Sequence, residues 1–161
     1  MLLFFAVVFS GPPVSAEPLS KIDSGERCPV CGMFVAKYPN WVTQIRDQSG
    51  KMRLFDGVKD MMAFYFAPAS FGADAKTNMG EIWVKEYYGL EWLDGRKAFY
   101  VVGSDVYGPM GEEFIPFLDR AAAESFLKDH HGSQVVAFTE ITAEMVESMR
   151  SQHKMKGQMM K

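Results

Sequence analysis

Twice along this chain an extended apolar run passes through an aspartate into an amphipathic helix, and this repeated order constrains the fold more than any other feature. The first copy is "LFDGVKDMMAFYF", residues 54–66, and the second is "EFIPFLDRAAAESFLKDH", residues 113–130. A glycine turn carrying a methionine stands before each: Cys31-Gly32-Met33 and Gly108-Pro109-Met110. Val58, Met61, Met62, Tyr65 and Phe66 recur at helical spacing in the first copy. Asp56 and Asp119 each suit a helix N-cap. The pattern predicts an α+β fold of two similar ββα-type units, about 27–90 and 91–141, packed as one compact domain. A C-terminal helix and tail over 142–161 follow. Met33 and Met110 then occupy equivalent turns, and a pseudo-twofold relation between the units brings Cys31, Met33 and Met110 together.

Local signals fill in the elements. Trp41 to Arg46 and Lys51 to Phe55 alternate apolar with polar residues around "DQSG", a β-hairpin pattern. Pro68 stops the first helix. Glu81 to Lys85, Lys97 to Val102 and Gln134 to Glu140 carry strand character, and Pro116 marks an edge or bulge. Gly132 suits the C′ position of the second helix, and Thr142 opens the last one.

The chain has 161 residues, enough for one domain with a real core. Its net charge of −3 and the absence of a basic, aromatic-interleaved patch argue against a nucleic-acid partner. The first sixteen residues, "MLLFFAVVFSGPPVSA", carry no charged side chain and end in a small-residue site. They have the pattern of a signal peptide cleaved after Ala16, with an apolar run too short to span a bilayer. Residues 17–26 follow as a flexible leader. Neither cysteine is preceded by a lipobox-like triplet, so a soluble protein exported to an oxidising compartment is expected.

Both cysteines of the chain, Cys28 and Cys31, lie in "RCPVCGMFV". In an oxidising compartment two cysteines usually pair, but so small a loop constrains the unfolded chain little. Three uses of the pair stay open. A structural zinc site needs two more donors, and only His130, His131 and His153 remain, two of them at a helix end that suits solvated cations. A redox dithiol is normally placed at a helix N-terminus, whereas here Gly32 and an extended segment follow. Thiolate with thioether selects Cu(I). Cys31 would be its anionic anchor, Met33 and Met110 its thioether ligands, and Cys28 an auxiliary or redox ligand.

Twelve methionines are an unusual number for this length. Met61 and Met62 fit the core as adaptable packing. Met145, Met149 and His153, spaced by four, share one face of a polar last helix that is not expected to be deeply buried. With Met155, Met159 and Met160 they suggest either a copper-handling tail or a docking helix. No hydrolase motif is present, and no enzyme is expected. The rival reading from another class is a periplasmic thiol–disulfide oxidoreductase using Cys28 and Cys31. A third is a module that docks on a transporter or enzyme without metal.

The ordered blocks "CPVCGM", "LFDGVKDMMAFYF", "IWVKEYYGLEWLDGRKAFYVVGS", "GPMGEEFIPF" and "AAAESFLKDHHGSQVVAF" resemble the NosL family of nitrous oxide reductase accessory proteins. The resemblance runs from about Glu26 to Ile141. It implies a periplasmic Cu(I) metallochaperone of two ββα-type units that supplies the reductase's copper–sulfur centre. Implied partners are that reductase and a membrane transporter or assembly complex, with the chaperone a monomer or weak dimer. The family's Cys-x-Met motif falls on Cys31 and Met33, and its glycine-methionine turn on Met110. Cys28 is an additional thiol, the lipobox common in the family is missing, and the Met/His-rich tail is not part of the general pattern. "PVCGMFV" is also similar to the start of YHS-type metal modules.

Overall fold

The structure, a computed structural model, describes residues 17–159, with side chains through Ser151. The expected signal peptide and the tail side chains beyond Ser151, His153 and Met155 among them, lie outside the described residues.

Strands β1 (Thr43–Asp47) and β2 (Met52–Phe55) form the expected hairpin. Helix α1 (Val58–Phe66) follows and stops short of Pro68, whose ring cannot continue it. The chain returns as β3 (Met79–Lys85) on the free edge of β1, and β4 (Trp92–Asp94) adds to β3. The sheet order is β2-β1-β3-β4. The second half runs β5 (Phe99–Val102), β6 (Tyr107–Gly108), β7 (Gly111–Glu112), β8 (Ile115–Phe117), α2 (Arg120–Asp129) and β9 (Gln134–Ala137). Its sheet order is β8-β5-β9, again antiparallel throughout.

Apart from β4 and the small β6–β7 hairpin, the halves share one topology. The first strand is central, the second flanks it on one side, and the strand after the helix flanks it on the other. The echo in the sequence is therefore a repeat of ββα plus a returning strand. Met33 and Met110 are not equivalent within it. Met33 precedes the central strand β1, whereas Met110 follows the central strand β5, in a hairpin that the first half lacks.

Asp119 caps α2, its Oδ1 accepting the Ala122 N–H at 2.8 Å. Asp56 does not cap α1: it stands one residue earlier, and Gly57 occupies the N-cap position. At the far end of α2 the left-handed residue is His131 (φ 53°), not Gly132. Gly132 serves close packing instead, since a Cβ there would lie 2.6 Å from Val101 Cγ1. The last strand is shorter than expected, because residues 138–140 turn into a 3-10 segment where Glu140 accepts the Ala137 N–H.

Every residue of α1 from Val58 to Phe64 is buried. The first sheet covers one side of α1, and α3 (Ala143–Met159) covers another. Met61 and Met62 are fully enclosed, as expected. The expectation of a loosely attached last helix is corrected: Val146 and Met149 are 2% and 4% exposed and belong to the main core. Because α1 is apolar on more than one face, it needs a second cover, and each large side chain so buried is worth roughly 1.5–3 kcal/mol. A smaller core of Val101, Ile115, Phe117, Ala123 and Phe126 lies between α2 and the second sheet. Tyr87 and Tyr88, just past β3, pack their rings on Phe117 and Phe126 and so join the halves. Among the described residues no helix is long and apolar enough to cross a membrane.

Candidate metal site

The cysteine segment folds back on itself. Arg27 and Phe34 form an antiparallel bridge, Cys28 N–H donates to the Met33 carbonyl at 2.9 Å, and Gly32 N–H donates to the Cys28 carbonyl at 2.9 Å. Gly32 has φ 78°, a conformation that a side chain would disfavour. Arg27 braces the turn from outside, bonding the Gly32 carbonyl at 2.7 Å and stacking 3.8 Å over the Phe34 ring. The turn delivers both sulfurs to the start of α1.

Two carboxylates meet them there. Asp56 precedes the helix by two residues and Asp60 is its third residue. Cys31 Sγ donates to Asp56 Oδ1 at 3.2 Å, and Cys28 Sγ to Asp60 Oδ2 at 3.6 Å. One ligand atom from each of Cys28, Cys31, Asp56 and Asp60 lies within 4.8 Å of the others. Cys28, Asp56 and Asp60 are at most 4% exposed, whereas Cys31 is half-buried and forms the opening. Both cysteines are free thiols.

The electrostatics favour protons on Cys28 and Asp60. A hydrogen bond with Cys31, burial and the charges of Asp56 and Asp60 push the Cys28 thiol far above its ordinary range. Burial pushes the Asp60 carboxyl up, reinforced by Asp56 and opposed by a Cys31 hydrogen bond and by Lys59 and Arg150. Asp56 Oδ2 is buried with no hydrogen-bond partner. Leaving such an atom unpaired is costly, and in a pocket with two thiols it indicates an absent ligand or proton.

Of the four site residues expected from the sequence, Cys28 and Cys31 converge on one another. Met33 is half-buried at the end of the cysteine turn. Met110 is half-buried at the tip of the β6–β7 hairpin, its carbonyl accepting from Lys59 Nζ at 2.5 Å. Lys59 is the helix residue next to Asp60. His130 lies elsewhere, bonded to Asp105 at 2.9 Å and stacked on Phe126. Asp56 and Asp60 were missed: their i, i+4 spacing in "DGVKD" was visible, but capping accounted for Asp56 and nothing drew attention to Asp60.

Chemically, the two thiols suit a soft ion, while the carboxyl groups are harder oxygen donors. The arrangement does not resemble a dithiol catalyst. The first cysteine is enclosed and its thiol is pushed up in pKa, the opposite of an activated nucleophile. After the turn comes a three-residue 3-10 segment, Val35–Lys37, and no α-helix. A cavity of about 420 Å³ lined by Trp41, Lys85, Tyr87, Tyr88 and Pro116 contains none of these four groups, so the cluster lies apart from it.

The NosL family model matches residues 18–146. A copper-binding lipoprotein NosL from Stutzerimonas stutzeri is 32% identical over 141 residues, covering 85% of this chain and 72% of that protein. Another, from Achromobacter cycloclastes, is 32% identical over 124 residues, covering 72% of this chain and 63% of that protein. The crystal structure of the copper chaperone NosL from Shewanella denitrificans aligns with a TM-score of 0.66 at 25% identity, covering 83% of this chain and 99% of that one. These relatives are named as copper-binding proteins or a copper chaperone, and none as an enzyme. By its sequence along most of its length, and by a matching α+β fold, this chain belongs to the NosL family.

Proposed function

We propose that the chain is a Cu(I) metallochaperone. Cys31 is the thiolate anchor at the mouth of the pocket, Met33 and Met110 are its thioether ligands, and Cys28 is an auxiliary thiol. The observation that carries this reading is the convergence of two reduced thiols in one half-open pocket, each hydrogen-bonded to an aspartate. On loading, the Cys31 thiol gives up its proton and the thiolate sulfur binds the ion. Neutral thioethers can be replaced one at a time by a receiver's ligands, so the ion is handed over without entering free solution.

The receiver that fits is an exported cuproenzyme, with the copper–sulfur centre of nitrous oxide reductase the leading choice and a membrane assembly complex as a further partner. The working form is a monomer or weak dimer in the periplasm. The curated relatives are named lipoproteins, which supports export and weighs against the expectation of a freely soluble form.

An anaerobic Cu(I) titration against a chromogenic chelator tests the reading. One tight copper is expected, abolished in Cys31→Ser and weakened in Met33→Ile and Met110→Ile. It should also be abolished in protein whose Cys28–Cys31 disulfide has been formed by air and verified by mass. Full copper uptake by the oxidised protein would refute the Cys31 assignment.

A further inference from the structure

The Met110 hairpin is fastened to the start of α1 by a reciprocal pair of buried contacts. Glu113, just past the hairpin, extends its carboxyl group to α1, where Oε1 accepts the Lys59 N–H at 2.5 Å. The same oxygen accepts the Phe114 N–H at 2.9 Å. This supplies the N-terminal cap that Asp56, displaced by one residue, does not provide. In return Lys59 sends Nζ back to the hairpin, donating to the carbonyls of Met110 at 2.5 Å and Glu112 at 2.8 Å. Both side chains are enclosed, Lys59 at 1% and Glu113 at 3% exposure.

Two glycines make room for the carboxyl group. A Cβ on Gly57 would lie 2.1 Å from Glu113 Oε2, and one on Gly108 would lie 3.1 Å from Glu113 Cγ. The ladder of the small hairpin is the pairs Tyr107–Glu112 and Gly108–Gly111, and β7 also packs against α3. The Lys59 ammonium ties its tip to α1, the element that carries Asp60 and follows directly on Asp56.

We propose that Lys59 and Glu113, with Gly57 between them, are positioning residues that hold Met110 against the thiol pocket and so set the copper affinity without touching the ion. The inference rests on Met110 being a thioether ligand. A group that holds a ligand in place typically matters by roughly 10- to 100-fold in metal affinity. Its signature is energetic coupling to Met110: once the thioether is gone, nothing remains for the clamp to position.

The test is Cu(I) affinity by chelator competition for Lys59→Met, Glu113→Ala and Glu113→Gln, each alone and combined with Met110→Ile. In parallel, the methyl resonance of Met110 is followed in ¹³C-methyl-methionine-labelled protein, and amide spectra verify that each variant is folded. The expected result is that Lys59→Met and Glu113→Ala lose about as much affinity as Met110→Ile, and that the double variants lose no more. The copper-induced shift of the Met110 methyl should shrink in the first two. Glu113→Gln, which keeps an acceptor of the same shape, should restore both readouts. Folded Lys59→Met and Glu113→Ala proteins with wild-type affinity, or losses that add to that of Met110→Ile, would overturn the clamp while leaving the chaperone reading standing. An unchanged affinity in Met110→Ile itself would overturn both. If Glu113→Ala fails to fold, Lys59→Met and its double variant decide the matter.

Discussion

Asp56 is the residue whose chemistry departs most from its local surroundings. One oxygen accepts from Cys31 while the other is buried without a partner, so the apo protein bears a desolvation cost that packing does not explain. An aspartate held this way suits a pocket built to take a ligand, and stability is then traded for function. Asp56→Asn should therefore raise the stability of the reduced, metal-free protein by about 1–2 kcal/mol in urea unfolding. The same change should weaken copper uptake at neutral pH. An Asn variant that is less stable and binds copper as tightly as wild type would contradict this role. Legibility at this scale was uneven. The cysteines declared themselves by residue type and spacing. Asp56 did not, because an aspartate ahead of a helix is far more often a cap, and a shift of one residue is invisible until the helix start is known.

At the scale of elements, the last helix changes its meaning most. Its polar composition suggested a tail, yet Val146 and Met149 complete the cover over α1. Met149→Ala should cost about 2–4 kcal/mol of unfolding free energy. A chain ending at Ser151 keeps these contacts and should retain the stability and copper affinity of the full chain. A chain ending at Glu140 should lose its cooperative unfolding transition. Equal stability of the Glu140 and Ser151 truncations, measured by thermal or urea melts, would return α3 to the status of an appendage. Amphipathic patterning placed α1 and α2 correctly and located the β1–β2 hairpin. It under-read α3 because two buried residues, Val146 and Met149, are enough to cover a neighbour, though they do not stand out in a polar stretch.

For the whole molecule, the decisive group is Glu113, which joins the second half to the start of α1. Burial pushes its carboxyl group up to about 8 from an ordinary 4.5, against the pull of Lys59 and the backbone N–H bonds of Phe114 and Lys59. The folded state therefore binds this proton more tightly than the unfolded chain does. Its contribution is fully present below about pH 4.5 and declines as pH rises toward 8. Urea unfolding of the reduced apo protein between pH 5 and 9 should show stability falling over that window. Glu113→Gln should flatten the fall, since the neutral amide replaces the neutral acid without titrating. A wild-type profile that rises with pH, or one that Gln leaves unchanged, would show that Glu113 ionises freely in the fold.

What the sequence determined by itself was the set of local preferences and the soft-ligand chemistry. Its two runs of strand, aspartate and helix fixed an α+β repeat, and Cys28, Cys31 and the glycine-methionine turns nominated a copper site. Tertiary structure decided the rest: which acid caps a helix and which faces a thiol, which methionine is core, and how the Met110 hairpin is tied to α1. The physical reason is separation along the chain. Lys59 and Glu113 lie 54 residues apart, and no local periodicity links a buried lysine in one half to a buried glutamate in the other. Their pairing exists only because two sheets of the same topology bring a helix start and an inserted hairpin into contact.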